Sequence, residues 1–161
     1  ATYKHCPGLG RVTDNTDTVA GVTDAVTTRS GDPAVSVFAD AITGGAKVIM
    51  VSSAIYSLID SSAPAVFSSV VVTDMLRGDL GFKGVVITDD VSTAVQVQDR
   101  TPAQRAVQAV RAGCDIVLAS ADATVVADMA RALVTEAQGD PAFAKRVDES
   151  AARVLALKTE S

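Results

Sequence analysis

The sequence predicts an α/β chain built from parallel βα units, and three observations carry that expectation. Three short apolar runs, Lys47–Ser52, Gly84–Asp89 and Cys114–Ser120, are continuous rather than alternating, the pattern of strands covered by helices on both faces. Between them lie stretches with helical spacing and clear start and stop signals. The runs recur roughly every 30 to 45 residues, so each strand has room for its own crossover. Two architectures satisfy this order, a small doubly wound sheet or a piece of a (β/α)8 barrel. With 161 residues the chain falls short of the about 250 that a complete barrel needs.

The elements follow in order. Ala1–His5 reads as a fourth, weaker strand, followed by a long polar loop, about Cys6–Gly31. Pro33–Gly44 sets Val37, Phe38, Ala41 and Ile42 on one helical face and stops at Gly44-Gly45. After the Lys47–Ser52 strand and a loop over Ala54–Val66, Ser68 or Ser69 caps a helix carrying Val71, Val72, Met75 and Leu76 that ends near Gly78. Beyond the next strand and the loop Val91–Arg100, Thr101-Pro102 supplies an N-cap and a proline at the first helical position, and that helix runs to Gly113. Two final helices, about Ala123–Gln138 and Pro141–Lys158, are apolar at Val125, Met129 and Leu133 and at Val147, Val154 and Leu155. Arg77, Asp79, Arg105, Arg111, Arg131, Glu136, Lys145 and Arg146 fall on these helices or their ends and are expected on solvated outer faces.

Composition narrows the function. Hydrophobic residues at 48% with 20% charged exclude a disordered chain. A net charge of −5 without a basic cluster gives no nucleic-acid surface. No apolar run approaches the ~20 residues that span a bilayer. Cys6 and Cys114 are two distant thiols without metal-type spacing, and a single histidine offers no imidazole zinc set, so no metal or cofactor is expected. Beginning at Ala1-Thr2-Tyr3 without a start Met, the chain reads as one whose own beginning has been removed, and its compartment stays open.

In both architectures ligands bind at the C-terminal ends of the strands. Lys4, His5, Ser52, Ser53, Asp89, Asp90 and Ser120 all fall there. Lys4-His5 suits a polyhydroxy or anionic ligand; the simpler alternative is a strand-end histidine bonded to a backbone carbonyl. Gly8-Leu9-Gly10 lacks the third glycine of a dinucleotide fingerprint. Asp89-Asp90 ends an apolar strand, where barrel hydrolases present an acid, base or nucleophile; the alternative is one capping and one solvated carboxylate. If strand geometry persists the two point in opposite directions, so only one faces the site. Asp14 and Asp17 lie on the turn-rich first loop, expected to be mobile. One carboxylate on a strand and one on such a loop suit a two-step displacement at an anomeric carbon.

Three blocks, Lys4–Gly10, Leu76–Ser92 and Arg146–Leu155, resemble glycoside hydrolase family 3, and within it the NagZ-type β-N-acetylglucosaminidases. The resemblance implies the second half of a (β/α)8 TIM-type barrel, about strands 5–8, with residues 1–161 a partial catalytic domain lacking its N-terminal half. It implies a retaining hydrolase that removes terminal β-linked N-acetylglucosamine, as in cell-wall turnover fragments, through a covalent glycosyl-enzyme on Asp89. Lys4 and His5 match the pair that binds sugar hydroxyls, and Met50 matches a methionine lining the sugar site. NagZ-type enzymes carry Asp-Ser-His on the loop after Lys-His. Here the register gives Asn15-Thr16-Asp17, so Asp17 is the candidate acid/base in place of an imidazole. Leu9 and Cys6 also replace the family's usual His and Phe. Two alternatives follow, a β-N-acetylglucosaminide phosphorylase in which phosphate replaces water, and a non-catalytic sugar-binding half-barrel. The implied partners are the carbohydrate and either the missing half-barrel or a second copy of the chain. Whether the 161 residues turn over substrate alone is left open.

Overall fold

The computed structural model describes residues 1–159. Along the chain run β1 (Thr2–Cys6), β2 (Thr23–Asp24), α1 (Pro33–Thr43), β3 (Val48–Val51), β4 (Ile55–Tyr56), a π-helical segment (Val70–Asp79), β5 (Val85–Asp90), α2 (Pro102–Ala112), β6 (Ile116–Leu118), α3 (Val126–Gly139) and α4 (Pro141–Thr159). Strands β1, β3, β5 and β6 form one sheet in that order, every pair parallel. This is the α/β succession of a TIM-type barrel, with four strands in an open sheet whose edges are β1 and β6.

Local chemistry sets the helix ends. Asp32 caps α1 by accepting the Ala34 N–H at 2.9 Å. Thr101 and Gln104 form a reciprocal capping box at α2. Gly113, with φ of +121°, ends α2, and a Cβ there would lie 2.6 Å from Thr73 Oγ1. The segment expected as an ordinary helix after Ser68 is wound more widely, with the Leu80 N–H bonded to the Met75 carbonyl at 2.9 Å. It still buries Val71, Val72, Met75 and Leu76 as its spacing implies.

Covering differs from the sequence expectation. Ile49 and Val51 of β3 and Val86 and Thr88 of β5 are buried in a core with Val72, Met75, Leu76, Ala106 and Ala109. The opposite face, with Met50 in register with Ile87 and Ile87 with Ile116, is only half-buried. A run of β-branched residues makes both faces apolar but does not say what covers each.

The long loops also hold structure that their composition hid. β2 pairs with β4 in a small parallel sheet, and Asp24 braces it by accepting the Val26 and Thr27 N–H groups and the Thr27 hydroxyl. At the N-terminal ends of the strands, Asp115 is fully buried. It accepts from Arg77 at 2.5 Å, Arg146 at 2.8 Å, Arg153 at 3.2 Å, the Ser150 hydroxyl at 3.1 Å and the Val86 N–H at 2.9 Å. Arg77, Arg105 and Arg146 are therefore not solvated, a correction to the helix-face reading. Their side chains reach inward to a carboxylate, or in Arg105 to the Val91 and Ser92 carbonyls, from other segments of the chain.

Candidate active site

The tips of β1 and β5, with β3 between them, and two loops build the C-terminal end of the sheet. β1 delivers Lys4 and His5 across a cis peptide, and a second cis bond joins Cys6 to Pro7. The turn behind them is held from β4, where Tyr56 donates its hydroxyl to the Gly8 carbonyl at 2.9 Å. β1 joins β3 by the Ser52 N–H bonded to the Cys6 carbonyl at 2.8 Å.

β5 ends in the two aspartates, and they part as strand alternation requires. Asp89 turns toward His5, with Oδ2 3.7 Å from His5 Nε2, an ion-pair distance longer than a hydrogen bond. Both side chains are about one-fifth to one-quarter exposed, at 21% and 24%. Asp89 Oδ1 accepts the Asp90 N–H at 2.8 Å, and Oδ2 takes no hydrogen bond among the described residues. Asp90 is saturated instead. Its Oδ1 accepts the Ser92 N–H and hydroxyl at 2.7 and 2.6 Å, and its Oδ2 the Ser120 N–H and hydroxyl at 2.6 and 2.5 Å and the Ala121 N–H at 2.9 Å. Burial pushes the Asp90 carboxyl up, but the Ser120 and Ser92 hydroxyls and the loop N–H groups outweigh it and hold it well below the usual carboxylate range.

Of the sequence candidates, His5 and Asp89 are brought together. Lys4 is exposed on the same strand, and half-buried Met50 lies in register with Ile87, two residues before Asp89 on the same face. Asp17 is exposed on its loop, and its carboxylate makes no hydrogen bond among the described residues. The loop, expected to be mobile, is tied at the backbone. Asn15 Oδ1 accepts the Asp17 N–H at 2.8 Å, and the Val95 and Gln96 N–H groups reach the Asp17 and Thr16 carbonyls at 3.2 and 3.0 Å.

Asp90 reads in the sequence as one of two strand-end carboxylates, one of them a cap, but its bonds to Ser120 left no signal, since Ser120 comes from a different βα unit. Gln96 left no signal, because its partner Val22 is 74 residues away. Among the described residues no three His, Cys, Asp or Glu side chains converge on one point, and no helix is long and apolar enough to cross a membrane. Cys6 and Cys114 are both buried and unbridged, and burial pushes the Cys114 thiol up to about 12.

Comparison with known proteins accords with this geometry. Residues 1–157 match the family model described as the glycosyl hydrolase family 3 N terminal domain. The structure is similar to a crystal structure of a β-N-acetylhexosaminidase from Beutenbergia cavernae, with a TM-score of 0.97 and 57% identity, over 98% of this chain and 46% of that one. The sequence is 34% identical over 166 residues to an uncharacterized secreted glycosyl hydrolase of Arthroderma benhamiae, covering 99% of this chain and 46% of the relative. It is 33% identical over 150 residues to a β-hexosaminidase of Chromobacterium violaceum, covering 93% of this chain and 41% of the relative. The chain thus spans less than half the length of these relatives. A match along almost the whole chain assigns it plainly: the chain belongs to glycosyl hydrolase family 3.

Proposed function

We propose that this chain carries the nucleophile and acid/base of a retaining β-N-acetylhexosaminidase, and that residues 1–161 form the part of its catalytic domain holding about strands 5–8. One observation carries the reading: a partly exposed carboxylate, Asp89, with one oxygen that takes no hydrogen bond among the described residues and a histidine 3.7 Å from it, at the ligand-binding end of a parallel sheet. The names of the relatives supply the sugar class.

In the first step Asp89 Oδ2 attacks the anomeric carbon while the bond to the leaving oxygen breaks and that oxygen takes the Asp17 proton. In the second, ionised Asp17 takes a proton from water, the water oxygen bonds the anomeric carbon, and the ester to Asp89 breaks. The Asp90 N–H holds the other Asp89 oxygen and so fixes the plane of the attacking carboxylate. Lys4 and His5 donate to the sugar hydroxyls, and Met50 offers an apolar surface to the ring. The hydroxyl and charged groups needed from the rest of the sugar shell come from outside these residues.

The test is Asp89→Asn in the full polypeptide that carries this chain, assayed on an aryl N-acetyl-β-glucosaminide. Turnover is expected to fall at least about ten-thousandfold, as removal of a nucleophile does. Substantial residual activity refutes the assignment. Release of the sugar as its 1-phosphate, dependent on added inorganic phosphate, replaces hydrolase by phosphorylase.

A further inference from the structure

The Asp17 carboxylate has no hydrogen-bonded partner among the described residues, so its position comes entirely from its backbone. Beyond the local turn at Asn15, that backbone is anchored to the short turn Val95–Val97 after β5. Val95 and Gln96 donate their N–H groups to the Asp17 and Thr16 carbonyls. The Gln96 side chain completes the attachment five residues further on. Its Oε1 accepts the Val22 N–H at 2.9 Å and its Nε2 donates to the Val22 carbonyl at 3.2 Å, the two-bond pattern of one rung of a sheet made by a side chain. Gln96 is 6% exposed, Val22 4% and Thr16 4%, so the staple lies in the interior and an apolar residue at 96 would leave the Val22 N–H unpaired.

We infer that Gln96 is a positioning residue for the reaction: its buried amide holds the loop bearing Asp17 in register with the segment that follows the nucleophile's strand. The inference rests on the reading of Asp17 as the acid/base. Proton transfer works only within hydrogen-bond reach of the leaving oxygen, and a displacement of about 1 Å costs on the order of a hundredfold. The stretch between β1 and β2, residues 7–22, would wander by far more than that without such ties. The amide does at position 96 what neither an acid nor an aliphatic residue can, since it gives one bond to the Val22 carbonyl and accepts one from the Val22 N–H while carrying no charge into the interior.

The experiment compares Gln96→Met, which keeps the bulk and removes both bonds, with Gln96→Ala and with Asp17→Ala in the full polypeptide. Two substrates are used, an unsubstituted phenyl N-acetyl-β-glucosaminide, whose leaving group needs a proton, and the dinitrophenyl analogue, whose leaving group does not. For Gln96→Met, kcat/KM on the phenyl glycoside is expected to fall about tenfold or more. On the dinitrophenyl glycoside it should stay within about twofold. Amide hydrogen exchange over residues 13–24 should rise in the same variant. Equal losses on the two glycosides, or unchanged exchange in the loop, overturn the inference. If Asp17→Ala shows the leaving-group dependence and Gln96→Met does not, the Asp17 reading stands and the role of Gln96 falls. If Asp17→Ala shows none, the acid/base reading falls and takes this inference with it.

Discussion

The two ends of the sheet treat their carboxylates in opposite ways. At the N-terminal end Asp115 is fully buried and takes hydrogen bonds from three arginines, a serine and a backbone N–H. At the C-terminal end Asp89 is 21% exposed and takes one, from its neighbour's backbone. A carboxylate whose lone pairs are all committed cannot bond to a substrate, and one with an unclaimed oxygen adds little to stability. Asp90 shows that the difference lies in partners rather than in place: at the same strand tip it is bonded as fully as Asp115. The C-terminal end of the sheet thus keeps one acidic group open and ties the next one down.

The largest structural test breaks the N-terminal end. Asp115→Ala leaves Arg77, Arg146 and Arg153 around a site without its counter-charge and frees the Val86 N–H. Breaking a buried ion pair from one side costs about 3–5 kcal/mol, so unfolding in urea should shift by that amount. Asp89→Asn, by contrast, should unfold within about 1 kcal/mol of the parent while losing its turnover. If the two variants exchanged these phenotypes, the division between a structural and a chemical end would be wrong.

Asp90→Ala sharpens the comparison because it touches both roles. It removes bonds that join the β5 and β6 loops and releases the backbone that holds Asp89. Stability is expected to drop by about 2–3 kcal/mol, and kcat/KM by about tenfold to a hundredfold. The two losses are expected together. Turnover abolished as completely as in Asp89→Asn, in a protein that melts like the parent, would mean that Asp90 itself reacts.

How far the sequence foretold these roles depends on the range of each interaction. The βα order, the caps at Thr101-Pro102 and the parting of Asp89 from Asp90 follow from local spacing, and all were legible. The burial of Arg77 and Arg146 was not, because both meet Asp115, more than thirty residues from either. A charged residue on a helix reads as solvated until its distant partner is known. The same limit hid β2 and β4, two-residue strands that pair across loops without an apolar run, and made the Asp17 loop read as mobile. Gln96 is the extreme case, since one neutral amide in a polar loop carries no pattern at all.

Acid should act through the hydrogen-bonded carboxylates, which gives the smallest and last test. Asp32, at the cap of α1, is held down to about 2 from 3.8 by the Arg11 guanidinium, with burial opposing and the Ala34 and Thr28 N–H groups assisting. In Asp115 burial pushes upward, and the Val86 N–H, Arg146 and Arg77 more than reverse it. Each carboxylate is more acidic folded than unfolded, so its contribution is complete above the unfolded value and fades as pH falls through the folded one. The melting temperature should therefore hold from neutrality to about pH 5 and then decline toward about pH 2. Replacing Asp32 by Asn should lower the melting temperature at neutral pH by a gap that narrows across the same interval. A gap that stayed constant down to about pH 2 would show that the cap acts through shape and not through its charge.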